Sequence, residues 1–138
     1  MLRGLTTVTF FADDVAAARR WYAEFLGIDA YFERAFEGHL AYAEFRIGDH
    51  QHELGIVDRR FEPPSAASGE PGGAVVYWHV NDVGAAVERL LALGATLHDA
   101  ETERGPGFVT ASVVDPFGNV LGVMYNQHYL DQLTASRA

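Results

Sequence analysis

The sequence predicts an α+β fold in which two tandem βαβββ modules form a cup-shaped, half-open eight-stranded barrel. Three observations carry this expectation. The chain resembles itself at an offset of about half its 138 residues, each half holds one capped amphipathic helix among extended runs, and a stretch rich in Pro, Gly and Ser parts the halves. The repeat is visible residue by residue. Asp14-Val15-Ala16-Ala17-Ala18 recurs as Asp82-Val83-Gly84-Ala85-Ala86, and Phe25-Leu26-Gly27-Ile28 recurs, after a one-residue deletion, within Leu91-Ala92-Leu93-Gly94-Ala95. Glu53-Leu54-Gly55-Ile56-Val57 is echoed by Val120-Leu121-Gly122-Val123-Met124.

The first module, residues 1–61, opens on an extended run at 5–11. Asp14 stands where an N-cap carboxylate accepts from the first free N–H groups of a helix. Val15, Ala18, Tyr22 and Phe25 follow at helical spacing, and Gly27 ends the helix from the C′ position. Strands at 40–47 and 52–57 follow, turned by Gly48-Asp49. The second module, 73–138, repeats the grammar with a strand at 74–80, Asp82 as N-cap, Val83, Val87 and Leu90 on one helix face, and Gly94 as terminator. Its strands are expected at 96–101, 108–114 and 120–125, with Asp115-Pro116-Phe117-Gly118-Asn119 as a turn. Residues 62–72 are the linker by composition. One helix covers one face of each sheet, so the other face must meet something else. Two such sheets side by side curve into a cup, where a site is to be sought.

Composition narrows the functions. A chain 49% hydrophobic and 21% charged can bury a core, while a net charge of -9 repels a phosphate backbone or an anionic bilayer. Neither nucleic acid nor membrane is an expected partner. Cysteine is absent, which removes disulfides, thiolate nucleophiles and iron–sulfur clusters and leaves His, Asp and Glu as possible metal ligands. The N-terminus lacks the pattern of a signal peptide, and no run approaches the ~18–20 apolar residues of a spanning helix. A cytoplasmic protein is expected.

Asp14-Val15 with Trp21-Tyr22 and Leu26-Gly27, followed by Asp115-Pro116-Phe117-Gly118-Asn119, resembles the vicinal oxygen chelate superfamily of glyoxalases, bleomycin-resistance proteins and extradiol dioxygenases. The resemblance spans nearly the whole chain and implies a single domain, 1–138, built of both modules. Members of that superfamily place a metal ligand about seven residues before each capping Asp and a Glu three residues after the turn Asn, positions held here by Thr7, Val75, Gly122 and, in the first module, Gly55. None of these replaces His or carboxylate, so no metal and no cofactor is expected.

With Thr7 and Val75 inward, strand alternation places Thr9, Phe11, Tyr77 and His79 on the cup face. Glu53 and Val57 flank Gly55 there. The apolar set Ala41, Ala43, Phe45 and Ile47 should take the helix side, which turns Tyr42, Glu44 and Arg46 inward. Val120, Met124 and Asn126 line the last strand, with Thr110 and Ser112 as neighbours. The predicted ligand-binding set is Thr9, Phe11, Tyr42, Arg46, Glu53, Tyr77, His79 and Met124, suited to stacking a planar organic molecule and meeting its polar groups. Glu44, Arg46 and Glu53 serve equally well as a structural ion-pair network. The glycines at 55 and 122 are expected to widen the floor, 101–107 to form a flexible turn able to act as a lid, and 125–130 to fold across the cup mouth or a neighbouring subunit.

Two readings follow. One is a metal-independent binding protein that sequesters a planar aromatic compound, in the manner of the resistance members of the superfamily. The alternative is a lyase or isomerase of glyoxalase or dioxygenase type, with His79 or Glu53 as general base or as a displaced metal ligand. Open sheet edges, and the superfamily's habit of closing cups across a two-fold axis, point to a homodimer.

Overall fold

The computed structural model describes residues 1–63 and 73–137. The chain divides into two compact units, Met1–Glu70 and Pro71–Ala138. The expected linker at 62–72 lies, from residue 64 onward, outside the described residues.

In the first unit β1 (Thr7–Ala12), α1 (Val15–Leu26), β2 (Phe32–Phe36), β3 (His39–Ile47) and β4 (His52–Asp58) follow in order. The sheet runs β1-β4-β3-β2, with β1 parallel to β4 and the other pairs antiparallel. Asp14 is extended, and its carboxylate accepts from the Ala17 amide at 3.0 Å, so α1 starts where a free N–H finds a partner. Gly27, at φ 71°, ends it by donating to the Ala23 carbonyl. One face of the sheet packs on this helix: Val8, Phe10, Ala12, Ala41, Ala43, Phe45, Leu54 and Ile56 are buried against Val15, Ala18 and Tyr22. The alternation predicted for β1, β3 and β4 is the alternation found.

The second unit repeats the plan with β5 (Tyr77–His79), α2 (Val83–Ala92), β6 (Thr96–Gly105), β7 (Phe108–Val114) and β8 (Val120–Asn126), in the order β5-β8-β7-β6, and adds α3 (Gln127–Arg137). Asp82 caps α2 through the Ala85 amide at 3.0 Å. Val83 and Leu90 are buried, as are Ala111, Val113, Leu121 and Val123 on the facing strands. Asp115, 3% exposed, accepts from the amides of Phe117 and Asn119 and from the Asn119 side chain, so the two side chains of Asp115 and Asn119 fasten the turn between β7 and β8. Both modules are therefore βαβββ units of an α+β fold. Among the described residues no helix is long and apolar enough to cross a membrane.

Three differences matter for the site. Ladder pairing in β5 covers Tyr77–His79 rather than 74–80, although the Gly122 amide still donates to the Val76 carbonyl at 3.1 Å. Residues 101–105 are not a loose turn. They extend β6, paired Thr102 to Thr110 and Gly105 to Phe108, and the reversal is confined to Pro106-Gly107. The C-terminal residues form α3 directly from the end of β8.

Candidate functional site

The face of the first sheet turned away from α1 is built in cross-strand rows. Thr7, Glu53 and Arg46 share one row, Thr9, Gly55, Glu44 and Phe32 the next, and Phe11, Val57, Tyr42 and Arg34 the third. The structure thus brings five predicted residues, Thr9, Phe11, Tyr42, Arg46 and Glu53, onto one surface. Glu53 is held from both sides: the Thr7 hydroxyl donates to one carboxylate oxygen at 2.9 Å, and the Arg46 guanidinium lies 3.2 Å from the other. Arg46 in turn stacks on the Tyr31 ring, 4.6 Å from its centroid.

Glu44 is placed differently. Its carboxylate accepts a hydrogen bond from the Tyr42 hydroxyl. Burial, and then the charge of Glu53, hold its carboxyl above the ordinary carboxylate range, with Arg46 pulling the other way. The Tyr42 phenol is also raised, by burial and then by Glu53. A carboxyl with a raised folded-state value takes up a proton more readily folded than unfolded, so its charge costs stability at neutral pH and that cost fades as pH falls through the folded value. Glu44→Gln keeps an acceptor for Tyr42 and removes the charge. Thermal melts should show the variant more stable than the parent at pH 7, with the gain disappearing below the ordinary carboxylate range.

On the second sheet, the face away from α2 carries Tyr77, Gly122 and Ser112 in one row and His79, Met124 and Thr110 in the next. The three predicted residues of this module, Tyr77, His79 and Met124, share that surface. The His79 ring lies nearly parallel to Tyr129 at 4.7 Å and is tilted against Tyr125 at 5.4 Å. Its Nδ1 accepts from the Asn126 amide at 3.2 Å, which places the proton of the neutral ring on Nε2. His98 Nδ1 lies 3.0 Å from the buried Ser112 hydroxyl, and Arg104 donates to Thr110 at 3.1 Å. His98 belongs to β6. A break in the β6 register between Leu97 and Asp99 puts its ring beside Ser112, and no local pattern in the sequence signals such a break.

The glycines do not widen the floor. A Cβ on Gly55 would lie 2.7 Å from the Tyr42 hydroxyl oxygen and 3.0 Å from the ring carbon Cε2. One on Gly122 would lie 2.7 Å from both Tyr77 Cδ1 and the Val76 carbonyl oxygen. Each glycine exists because a tyrosine ring lies across it. A separate cavity of about 420 Å³ opens in the first unit beside the start of α1, lined by Asp13, Asp14, His39, Asp58 and Arg60 among others, and it holds none of the predicted site residues.

Residues 4–123 match the model of the Glyoxalase/Bleomycin resistance protein/Dioxygenase superfamily, and the chain belongs to that superfamily. No curated protein matches its sequence. Solved structures of the same fold include a glyoxalase-related enzyme from Fulvimarina pelagi, 21% identical over 91% of this chain and 90% of the other, with TM-score 0.71. A lactoylglutathione lyase from Agrobacterium tumefaciens is 19% identical over 94% of this chain and 98% of its own, with TM-score 0.66. TnmS3, an antibiotic binding protein from Streptomyces sp. CB03234, is 22% identical over 88% and 94%, with TM-score 0.64. At these identities the likeness is one of fold, and chemistry has to be argued from the site.

The superfamily's divalent ion does not fit the residues present. Thr7 is committed to Glu53, the space beyond Gly55 and Gly122 is filled by tyrosine rings, and the Val75 side chain has no donor atom. Among the described residues no three of His, Asp and Glu converge in a set that could hold a metal ion.

Proposed function

We propose that this protein binds a small planar aromatic compound without a metal ion, on a sheet face turned away from its helix. The observation that carries the reading is the pair of tyrosines laid over Gly55 and Gly122: the family's ligand positions present aromatic surface in place of carboxylates. Within the first unit Arg46 can donate and Glu44 and Glu53 accept, and within the second His79 and Met124 form the row next to Tyr77 and Gly122. The antibiotic binding protein among the similar structures is a precedent for this use of the fold.

Catalysis by His79 or Glu53 has less support. Glu53 is neutralised by Arg46 and bonded to Thr7, while the basic nitrogen of His79 is taken up by the Asn126 amide. Function as a cytoplasmic homodimer is part of the same proposal.

Tyr77→Ala tests it. Tyr77 is 37% exposed and Tyr22 1%, so truncating Tyr77 should lower the melting temperature far less than truncating Tyr22. Affinity for a tricyclic aromatic dye, read by fluorescence titration, should fall by about 1–3 kcal/mol, roughly 5- to 150-fold. Excess chelator should leave the titration of the parent protein as it was. Binding that vanishes with chelator, or is indifferent to Tyr77, overturns the reading.

A further inference from the structure

The C-terminal helix lies outside the repeated βαβββ plan and beyond the family match at 4–123. It follows β8 without a loop: the Asn126 side chain accepts from the His128 amide at 3.0 Å, and the Gln127 amide donates to the Gly107 carbonyl at 3.0 Å. The Gln127 side chain also rests on Gly107, where an added Cβ would come within 3.1 Å of it at a backbone φ of 67°. The first turn of α3 is thus moored to the reversal between β6 and β7. No residue of α3 is buried. An eleven-residue helix with so little packing has only marginal stability of its own. Tyr129 reaches back onto the body of the unit, its ring lying at 4.7 Å and 13° to that of His79.

His79 belongs to the face away from α2, because it pairs with Met124 and Thr110 while Trp78 pairs with Val123 of the core. Tyr129 therefore covers the surface assigned above to the ligand. A nearly parallel ring at that spacing is also the arrangement a planar aromatic guest would adopt on an imidazole. We propose that α3 is a self-docked cover, and that Tyr129 and the aromatic ligand compete for the same face of His79. This rests on the binding reading above. Ligand entry then requires the Tyr129 contact to open while the mooring at Gln127 keeps the helix attached. The stack can give way, because it is a single ring pair carried on a helix of marginal stability.

The test uses the full chain, Tyr129→Leu, and Tyr129→Phe as the variant that keeps the ring. In proton NMR, with His79 assigned by comparison with His79→Gln, the His79 ring protons should carry an upfield ring-current shift in the parent and in Tyr129→Phe and lose it in Tyr129→Leu. No change in Tyr129→Leu overturns the cover. The probes for competition are acridine, proflavine and anthraquinone-2-sulfonate, tricyclics that differ in charge. At least one should bind Tyr129→Leu about two- to tenfold more tightly than it binds the parent or Tyr129→Phe. Equal affinity in all three proteins overturns competition and leaves the binding reading standing. Weaker binding by Tyr129→Leu also overturns it and makes Tyr129 part of the ligand's platform. Failure of every probe on every protein, with the NMR shift present, overturns the shared ligand face along with the binding reading.

Discussion

Tyr22→Ala is expected to cost about 3–5 kcal/mol of stability, the range for truncating a large aromatic in a packed core. Tyr22 is 1% exposed, and its ring lies 6.1 Å from Phe10 and 4.8 Å from Trp21, so it joins α1 to the sheet beneath it. Denaturant unfolding should show the midpoint falling with little change in slope. The contrast with Tyr77→Ala is the useful part, because the two tyrosines differ in the face they occupy. If Tyr77→Ala destabilised the protein as much as Tyr22→Ala, the alternation that defines the ligand face would be wrong.

Gly122→Ala is expected to destabilise by about 1–3 kcal/mol, the usual cost of overpacking. Elsewhere the same change in a compatible backbone is favourable by about 0.4–1 kcal/mol, because it restricts the unfolded chain. Here the new methyl meets the Val76 carbonyl as well as the Tyr77 ring, and backbone cannot swing aside. Gly55→Ala should cost less, since only the far end of Tyr42 stands in the way and that ring can turn by giving up its bond to Glu44. Thermal or urea unfolding of the two variants should rank them in that order. Gly122→Glu, which restores the family's carboxylate, should be at least as destabilised as Gly122→Ala and gain no affinity for zinc or nickel.

Much of the fold was legible because two devices repeat in the chain. Asp14 and Asp82 mark helix starts by chemistry alone, and Gly27 and Gly94 mark ends where φ is positive. Strict alternation in β1, β3 and β4 assigned Phe11, Tyr42, Arg46 and Glu53 to one face. Two elements were invisible for a physical reason. Every residue of β2 is exposed, so Phe32–Phe36 carries no burial pattern to read. No residue of the helix α3 is fully buried, and its few apolar residues form no stripe to read. The tyrosines over Gly55 and Gly122 were assigned to the correct face, but a sequence does not reveal that a neighbouring ring lies across a glycine. The reading of a widened floor failed there.

Native mass spectrometry of the protein purified from its own host reports metal, small molecule and oligomer in one spectrum, and it tests the central claim most directly. The account predicts a dimer that carries an organic adduct of aromatic character and no divalent ion. One zinc, nickel, manganese or iron per chain, retained through buffer exchange, would contradict it.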